Sequence, residues 1–207
     1  IEKSLSLHEG ITDYVCRLTV KTNFPNMRMP ERHLKVFAKL PDKVRVESGG
    51  EIVVVPRDAL LLGNLRKHLT RDVRIVLTGQ SKVQGRTVYS VKIIPPEKER
   101  AERLMVWIWG DNWTMKRSEI WVGPNRLMAA TWTHQKVQGR WLPSRIYVEV
   151  SGGQLADGAK GTVDMTFESW QLNVGLSDKL FAEQPRPPTR RRPGHSGPGR
   201  PWGPPRQ

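Results

Sequence analysis

Residue types that perform catalysis are present in this chain, but they do not combine into a known catalytic pattern. His8-Glu9 begins like the His-Glu-x-x-His motif of zinc hydrolases, yet the second histidine is missing, and no Gly-x-Ser-x-Gly elbow occurs. Residues 153–158 have the glycine spacing of a phosphate-binding loop, but Ala159 stands where the lysine must follow, so we predict a long hairpin turn. We therefore expect no enzymatic activity, no cofactor and no metal site.

The remaining reactive side chains support the same expectation. The chain has one cysteine, which excludes a disulfide framework. Cys16 lies at an inward position of an alternating strand, where a nucleophile would be hard to reach, so we interpret it as a core thiol. His33, His68 and His134 have no mutual spacing typical of metal ligands.

Net charge is the most conspicuous bulk property, and it divides into two parts. The 207 residues include 34 Lys and Arg against 20 Asp and Glu, a net charge of +14. Residues 184–207 contain six arginines and no acid. Half of the residues in this segment are Pro or Gly, a composition typical of a disordered tail. Removing those six arginines leaves 28 basic and 20 acidic side chains in residues 1–183, which we predict to form one folded domain.

The folded domain is predicted to consist mainly of β-strands, because apolar and polar residues alternate along it. Tyr14, Cys16, Leu18 and Val20 alternate with more polar neighbours, and residues 34–40 repeat the pattern. Further strands are predicted at 44–46, 73–78, 87–94, 104–109, 119–122, 127–133, 144–150 and 162–172. About ten short antiparallel strands would curl toward a barrel or split into a sandwich. No apolar run reaches the roughly 18 residues of a membrane-spanning helix.

Turns and helices are also visible in the sequence. Lys-Val-Gln-Gly-Arg occurs at 82–86 and again at 136–140, and we predict two similar hairpin turns with glycine at a positive φ. One helix is predicted to begin near Pro56, with Leu61, Leu65 and Leu69 on one face. A second, shorter helix is predicted within residues 1–9.

Tryptophan is unusually frequent in the second half of the domain. Six of the eight Trp residues lie in or beside its strands, and residues 104–109 are apolar on both faces. Such bulky side chains suit either a partly hollow interior or a thick packed core.

Several stretches, in the same order, resemble the outer membrane lipoprotein carrier (LolA-like) family. They are the hairpin at 34–47, the strand at 87–95 after Gly85-Arg86, the strand around Val106-Trp107-Ile108, residues 137–143, and residues 170–181. This resemblance implies an α+β, mostly β fold, in which an unclosed antiparallel β-barrel carries a short helical lid over an apolar cavity. It also implies that the protein binds acyl chains of lipoprotein or lipid outside the cytoplasm, in the periplasm.

We therefore expect an extracytoplasmic carrier that sequesters acyl chains. Each buried methylene group contributes about 0.8 kcal/mol, so this function needs no catalytic group. The residues expected to line the cavity are Met105, Trp107, Trp109, Trp121, Met128 and Trp132, with Leu61, Leu65 and Leu69 from the lid.

Two other functions remain open at this stage. The same kind of half-barrel can serve as an envelope-stress sensor that holds a protein partner, and the resemblance allows a membrane-protein partner for a carrier as well. The arginine-rich tail could bind nucleic acid without sequence preference, although we favour association with an anionic envelope surface. We expect a monomer. The sequence starts at Ile1 without Met or a basic-then-apolar leader, so we expect any export signal to precede it.

Overall fold

A computed structural model describes residues 1–25, 29–48, 60, 62, 73–94, 102–151 and 160–182. The chain begins with a short helix, α1 (Glu2–Leu5), and a 3₁₀ turn (Ser6–His8), in agreement with the short helix predicted for residues 1–9. Ten strands follow: β1 (Asp13–Asn23), β2 (Arg32–Lys39), β3 (Lys43–Glu47), β4 (Arg74–Val83), β5 (Arg86–Ile94), β6 (Glu102–Trp109), β7 (Met115–Val122), β8 (Asn125–Val137), β9 (Arg140–Ser151) and β10 (Lys160–Leu172). A 3₁₀ helix (Asp178–Phe181) comes last.

The ten strands form one antiparallel sheet that does not close into a barrel. Their order is β3-β2-β1-β10-β9-β8-β7-β6-β5-β4, so β3 and β4 are the two edges. Every neighbouring pair except β1 and β10 is consecutive in the chain, which makes most connections short. The predicted unclosed antiparallel architecture is confirmed. Several strands extend beyond their predicted ends; β7, for example, begins at Met115.

Alternation along the strands places the main core on one face of the sheet. Tyr14, Cys16 and Leu18 of β1 are at most 1% exposed, and Arg17 between them is exposed. Alternate residues of β2 are buried in the same way. Fully burying a side chain such as Leu18 stabilises the fold by about 1.5–3 kcal/mol, so this pattern determines which face of the sheet turns inward.

The two Lys-Val-Gln-Gly-Arg turns have nearly the same backbone conformation, as predicted. Gln84 and Gly85 have φ of 49° and 75° between β4 and β5, and Gln138 and Gly139 have φ of 48° and 79° between β8 and β9. Two consecutive residues with positive φ are typical of the tight turns that match the twist of a β-hairpin.

The end of β10 is attached to the start of β1 by side-chain to backbone hydrogen bonds. The buried carboxylate of Asp13 accepts hydrogen bonds from the amides of Val174, Gly175 and Leu176 at 2.7–3.1 Å. Asn173 adds a hydrogen bond from the amide of Thr12 to its Oδ1. Residues 170–181, one of the stretches that resemble the LolA-like family, therefore help to join β1 and β10, the two strands that are farthest apart in the chain.

Most of the predicted helix near Pro56 lies outside the described residues, as do residues 152–159 and the tail at 184–207. Leu60 and Leu62 are described, and both pack against the main core. Leu60 is helical and 3% exposed. Leu60 and Leu62 lie between the two edge strands in the sequence, so the chain contacts the inward face of the sheet at these two positions.

Candidate functional site

The register between strands shows which residues of β5–β8 lie on each of the two faces of the sheet. Residues paired directly across antiparallel strands point to the same side of a sheet. Val106 of β6 pairs with Val91 of β5 and with Ser118 of β7, and Ser118 pairs with Ala130 of β8. Ala130 packs in the same cluster as Tyr14. We call the side that carries these residues the inner face, and the opposite side the outer face.

The inner face carries an apolar cleft at its β4–β6 end. Its volume is about 790 Å³, and α1 forms one wall. The lining residues comprise six aliphatic, two aromatic and two charged side chains: Ile1, Leu5, Ile75, Leu77, Val91, Ile108, Tyr89, Trp113, Glu2 and Lys3. Ligand sites in proteins typically enclose roughly 300–1,000 Å³ and are mostly apolar. The cleft therefore has the size and chemistry of a site for an apolar ligand.

Two aromatic rings and a lysine shape one end of the cleft. Tyr89 and Trp113 stack with their ring centroids 5.8 Å apart and their planes nearly parallel, and Nζ of Lys3 lies 4.6 Å from the Trp113 centroid. Trp113 has a φ of 60° in the turn between β6 and β7, which directs the chain back toward Trp109. The lysine places a positive charge beside the two aromatic rings, and Glu2 of α1 also lines the cleft.

The wall of the cleft formed by β4 is exposed to solvent although its side chains are aliphatic. Ile75 and Leu77 of β4 are 46% and 64% exposed, although they lie on the inner face opposite Ile93 and Val91. Clustered exposed aliphatic side chains on a folded protein commonly mark a binding surface. This edge of the sheet is thus apolar and accessible at the same time.

The six strand residues that we predicted to line the cavity do not all lie on the same face of the sheet. Met128 and Trp132 lie on the inner face, packed against the main core, and Trp132 Nε1 donates a hydrogen bond to Ser118 Oγ at 3.3 Å. The other four follow the outer alternation of β6 and β7: Met105, Trp107, Trp109 and Trp121. The predicted lid residues Leu61, Leu65 and Leu69 lie outside the described residues.

Several residues that line the cleft were not predicted from the sequence. Ile75 and Leu77 lie in the apolar run 75–77 of a predicted strand, and this run was the available signal. Ile1 and Trp113 carried no such signal, because they reach the cleft only through contacts between distant parts of the chain.

Two titratable side chains of the main core, Cys16 and Tyr14, are held in their neutral forms. Burial raises the pKa of the Cys16 thiol to about 12, and the side chain is 1% exposed, as expected for a core thiol. Burial also raises the pKa of Tyr14. Among the described residues, no group of three or more His, Cys, Asp or Glu side chains could hold a metal ion.

None of the helices that the structure describes has the length and apolar character needed to cross a membrane.

Comparison with solved structures identifies the fold. A LolA superfamily protein from Nitrosomonas europaea matches with a TM-score of 0.60 at 12% identity, over 88% of this chain and 95% of that chain. A DUF1329 family protein from Desulfovibrio piger matches with a TM-score of 0.63 at 13% identity, over 87% and 94% of the two chains. A candidate outer membrane lipoprotein-sorting protein domain from Vibrio parahaemolyticus gives 0.63 at 11% identity, over 87% and 94%. The fold is thus the LolA-like open half-barrel, and the resemblance seen in the sequence is confirmed.

Sequence comparison then gives the family. A family model described as an uncharacterized protein matches residues 60–185, more than half of the chain, and the chain belongs to that family. No curated protein matches the sequence.

Proposed function

We propose that this protein is an extracytoplasmic carrier that binds acyl chains of a lipid or lipoprotein in the cleft of its inner face. The observation that carries the proposal is the apolar cleft of about 790 Å³ between α1 and β4–β6, with Ile75 and Leu77 exposed along it. The LolA-like fold supports the proposal, since one solved structure with this fold is named as a candidate lipoprotein-sorting domain. The protein acts without catalysis and as a monomer.

The energetics of this binding follow from burial of methylene groups. Transfer of each methylene from water to an apolar site is worth about 0.8 kcal/mol, so an acyl chain supplies a large gross driving force before the costs of association are subtracted. The walls formed by Leu77, Val91 and Ile108 offer no polar group that would need a partner. Lys3 beside Trp113 can accompany an anionic headgroup at the end of the cleft.

The face assignment changes which residues carry the function. In this proposal the ligand contacts Ile75, Leu77 and Ile108, with Met128 and Trp132 supporting the adjoining part of the inner face. Leu61, Leu65 and Leu69 remain our proposed lid, because Leu60 and Leu62 between β3 and β4 already contact the inner core.

The test compares substitutions on the two faces. Replacing both exposed side chains, Ile75→Gln and Leu77→Gln, should weaken binding of a fluorescent fatty acid by about tenfold. Val174→Gln is the matched control, because Val174 is also 46% exposed but lies in the loop after β10. Trp121→Ala on the outer face is a second control, and both controls should bind like the unmodified protein.

Two results would overturn the proposal. One is an unmodified, folded protein that neither binds the fatty acid nor carries lipid when examined by native mass spectrometry. The other is unchanged affinity in the Ile75→Gln, Leu77→Gln variant, since every variant retains the arginine-rich tail and only the cleft differs.

A further inference from the structure

Three tryptophans lie on the outer face, away from the cleft. Trp107, Trp109 and Trp121 are half-buried and belong to neither hydrophobic cluster of the described residues. Met105 lies between them on β6 and pairs with Lys92 and Glu119. Four large, partly exposed apolar side chains therefore form one patch on the outer face, and such patches commonly mark an interaction site.

Each of two indole rings is in contact with cations. The guanidinium of Arg86 lies 3.9 Å from the Trp109 centroid and Nζ of Lys116 lies 5.7 Å from it. The guanidinium of Arg103 lies 5.0 Å from the Trp121 centroid. These distances are within the range of cation–π attraction, which holds the positive charges close to the sheet.

Charge on this part of the outer face is unbalanced. Six cationic side chains surround the tryptophans: Arg86, Lys92, Arg103, Lys116, Arg117 and Arg126. Three carboxylates neutralise some of them: Asp111 is paired to Arg86, Glu119 to Arg117 and Arg126, and Glu149 to Arg117. Lys92, Arg103 and Lys116 have no carboxylate partner among the described residues. We call this set of cations, tryptophans and Met105 on β5–β8 the aromatic-basic patch.

We propose that the aromatic-basic patch docks the protein onto an anionic lipid bilayer. Indole rings prefer the interface between headgroups and acyl chains, where their apolar body and polar N–H are both satisfied. Lys and Arg next to them pair with anionic headgroups, each contributing about 1 kcal/mol near such a surface. The charge is complementary to the bilayer, and the patch extends over four adjacent strands, as contact with a broad surface requires.

This inference does not depend on the proposed carrier function. The patch and the cleft lie on opposite faces, so bilayer docking leaves the cleft open to solvent. A protein that binds no fatty acid could still dock, and a carrier could bind its ligand without docking. The two experiments therefore fail separately.

The test measures partitioning of the full chain onto vesicles by flotation. Vesicles of phosphatidylcholine alone are compared with vesicles that also contain phosphatidylglycerol. Arg103→Gln with Lys116→Gln should weaken binding to the anionic vesicles by about thirtyfold. The matched control is Arg17→Gln with Lys160→Gln, which removes the same charge from exposed positions on the outer face of β1 and β10.

A further variant tests the indole itself. Trp121→Leu keeps an apolar side chain of the sheet but removes the interfacial ring, so it should weaken binding to anionic vesicles severalfold while the far-ultraviolet circular dichroism spectrum is unchanged.

The contrary outcomes are specific. If the two charge-removing variants lose the same affinity for anionic vesicles, total charge or the tail drives binding. This result would overturn the proposal that the aromatic-basic patch docks the protein. A second contrary result is binding to a short DNA duplex that depends more strongly on Arg103, Lys116 and Trp121 than vesicle binding does. It would show that the partner of the patch is a nucleic acid and not a bilayer.

Discussion

The phenol of Tyr14 donates a hydrogen bond to the backbone carbonyl of Leu60. Tyr14 lies on β1 in the middle of the sheet, and Leu60 belongs to the connection between the two edge strands. The tyrosine ring also packs against Trp170 of β10, with ring centroids 5.1 Å apart. One side chain thus attaches Leu60, which lies between the two edge strands in the sequence, to the centre of the inner face.

Removing this hydroxyl should loosen that attachment. Tyr14→Phe keeps the ring but leaves the Leu60 carbonyl without its donor, so the free energy of unfolding should fall by about 1–3 kcal/mol in urea denaturation. Amide hydrogen exchange near Leu60 and Leu62 should accelerate at the same time. Tyr147→Phe on the outer face is the control and should change neither quantity; equal destabilisation in both variants would contradict the role of the hydrogen bond.

Acidification should destabilise the contact between the N-terminal segment and β8–β9. Burial, together with the nearby charge of Arg140, lowers the pKa of His8 from 6.5 to about 4, and burial lowers the pKa of His134 to about 4 as well. Because the unfolded chain takes up these protons at higher pH, stability is complete above pH 6.5 and is lost as the pH falls toward 4. One such histidine accounts for about 3 kcal/mol by pH 4.

The measurement is the midpoint of urea unfolding between pH 7 and pH 4. His8→Gln removes one titrating group, so its stability should depend less steeply on pH than that of the unmodified protein. His33→Gln is the control, because His33 is exposed on β2. A pH dependence that is identical in His8→Gln and the unmodified protein would rule out His8 as a source.

Glu119 should stabilise the outer face more than its neighbour Glu149. Although burial alone would raise the pKa of Glu119, hydrogen bonds from Arg117 and Trp121 hold it below its usual value. Its stabilising contribution is therefore present at neutral pH and is lost as the pH falls below the ordinary carboxyl range. Glu119→Gln should lower the free energy of unfolding by about 1.5–3 kcal/mol, since charged hydrogen bonds are lost in a buried position.

Glu149→Gln serves as the comparison for that substitution. The Glu149 side chain is 47% exposed and lies 3.9 Å from Arg117, so its loss should change stability by less than about 0.5 kcal/mol. Urea denaturation at pH 7 measures both variants. Equal effects would show that Glu119 gains nothing from its buried hydrogen bonds.

Local sequence patterns were sufficient to predict much of the fold. The alternation from Tyr14 to Val20 predicted a strand with one buried face, and the two Lys-Val-Gln-Gly-Arg turns predicted hairpins, because both signals depend only on neighbouring residues. The side of the sheet that Trp107 occupies could not be predicted, since residues 104–109 are apolar on both faces and alternation then assigns faces only relative to one another.

The sequence by itself determined that this chain forms about ten antiparallel strands with one apolar face, because residue alternation and turn chemistry act over a few residues. Only the tertiary structure decided that Val106 rather than Trp107 lies on the inner face, since that depends on register across β5, β6, β7 and β8. It also decided that Ile1, Leu77 and Trp113 enclose one cleft. Contacts between residues so far apart in the chain are set by how the whole sheet curves, and a local pattern does not contain that information.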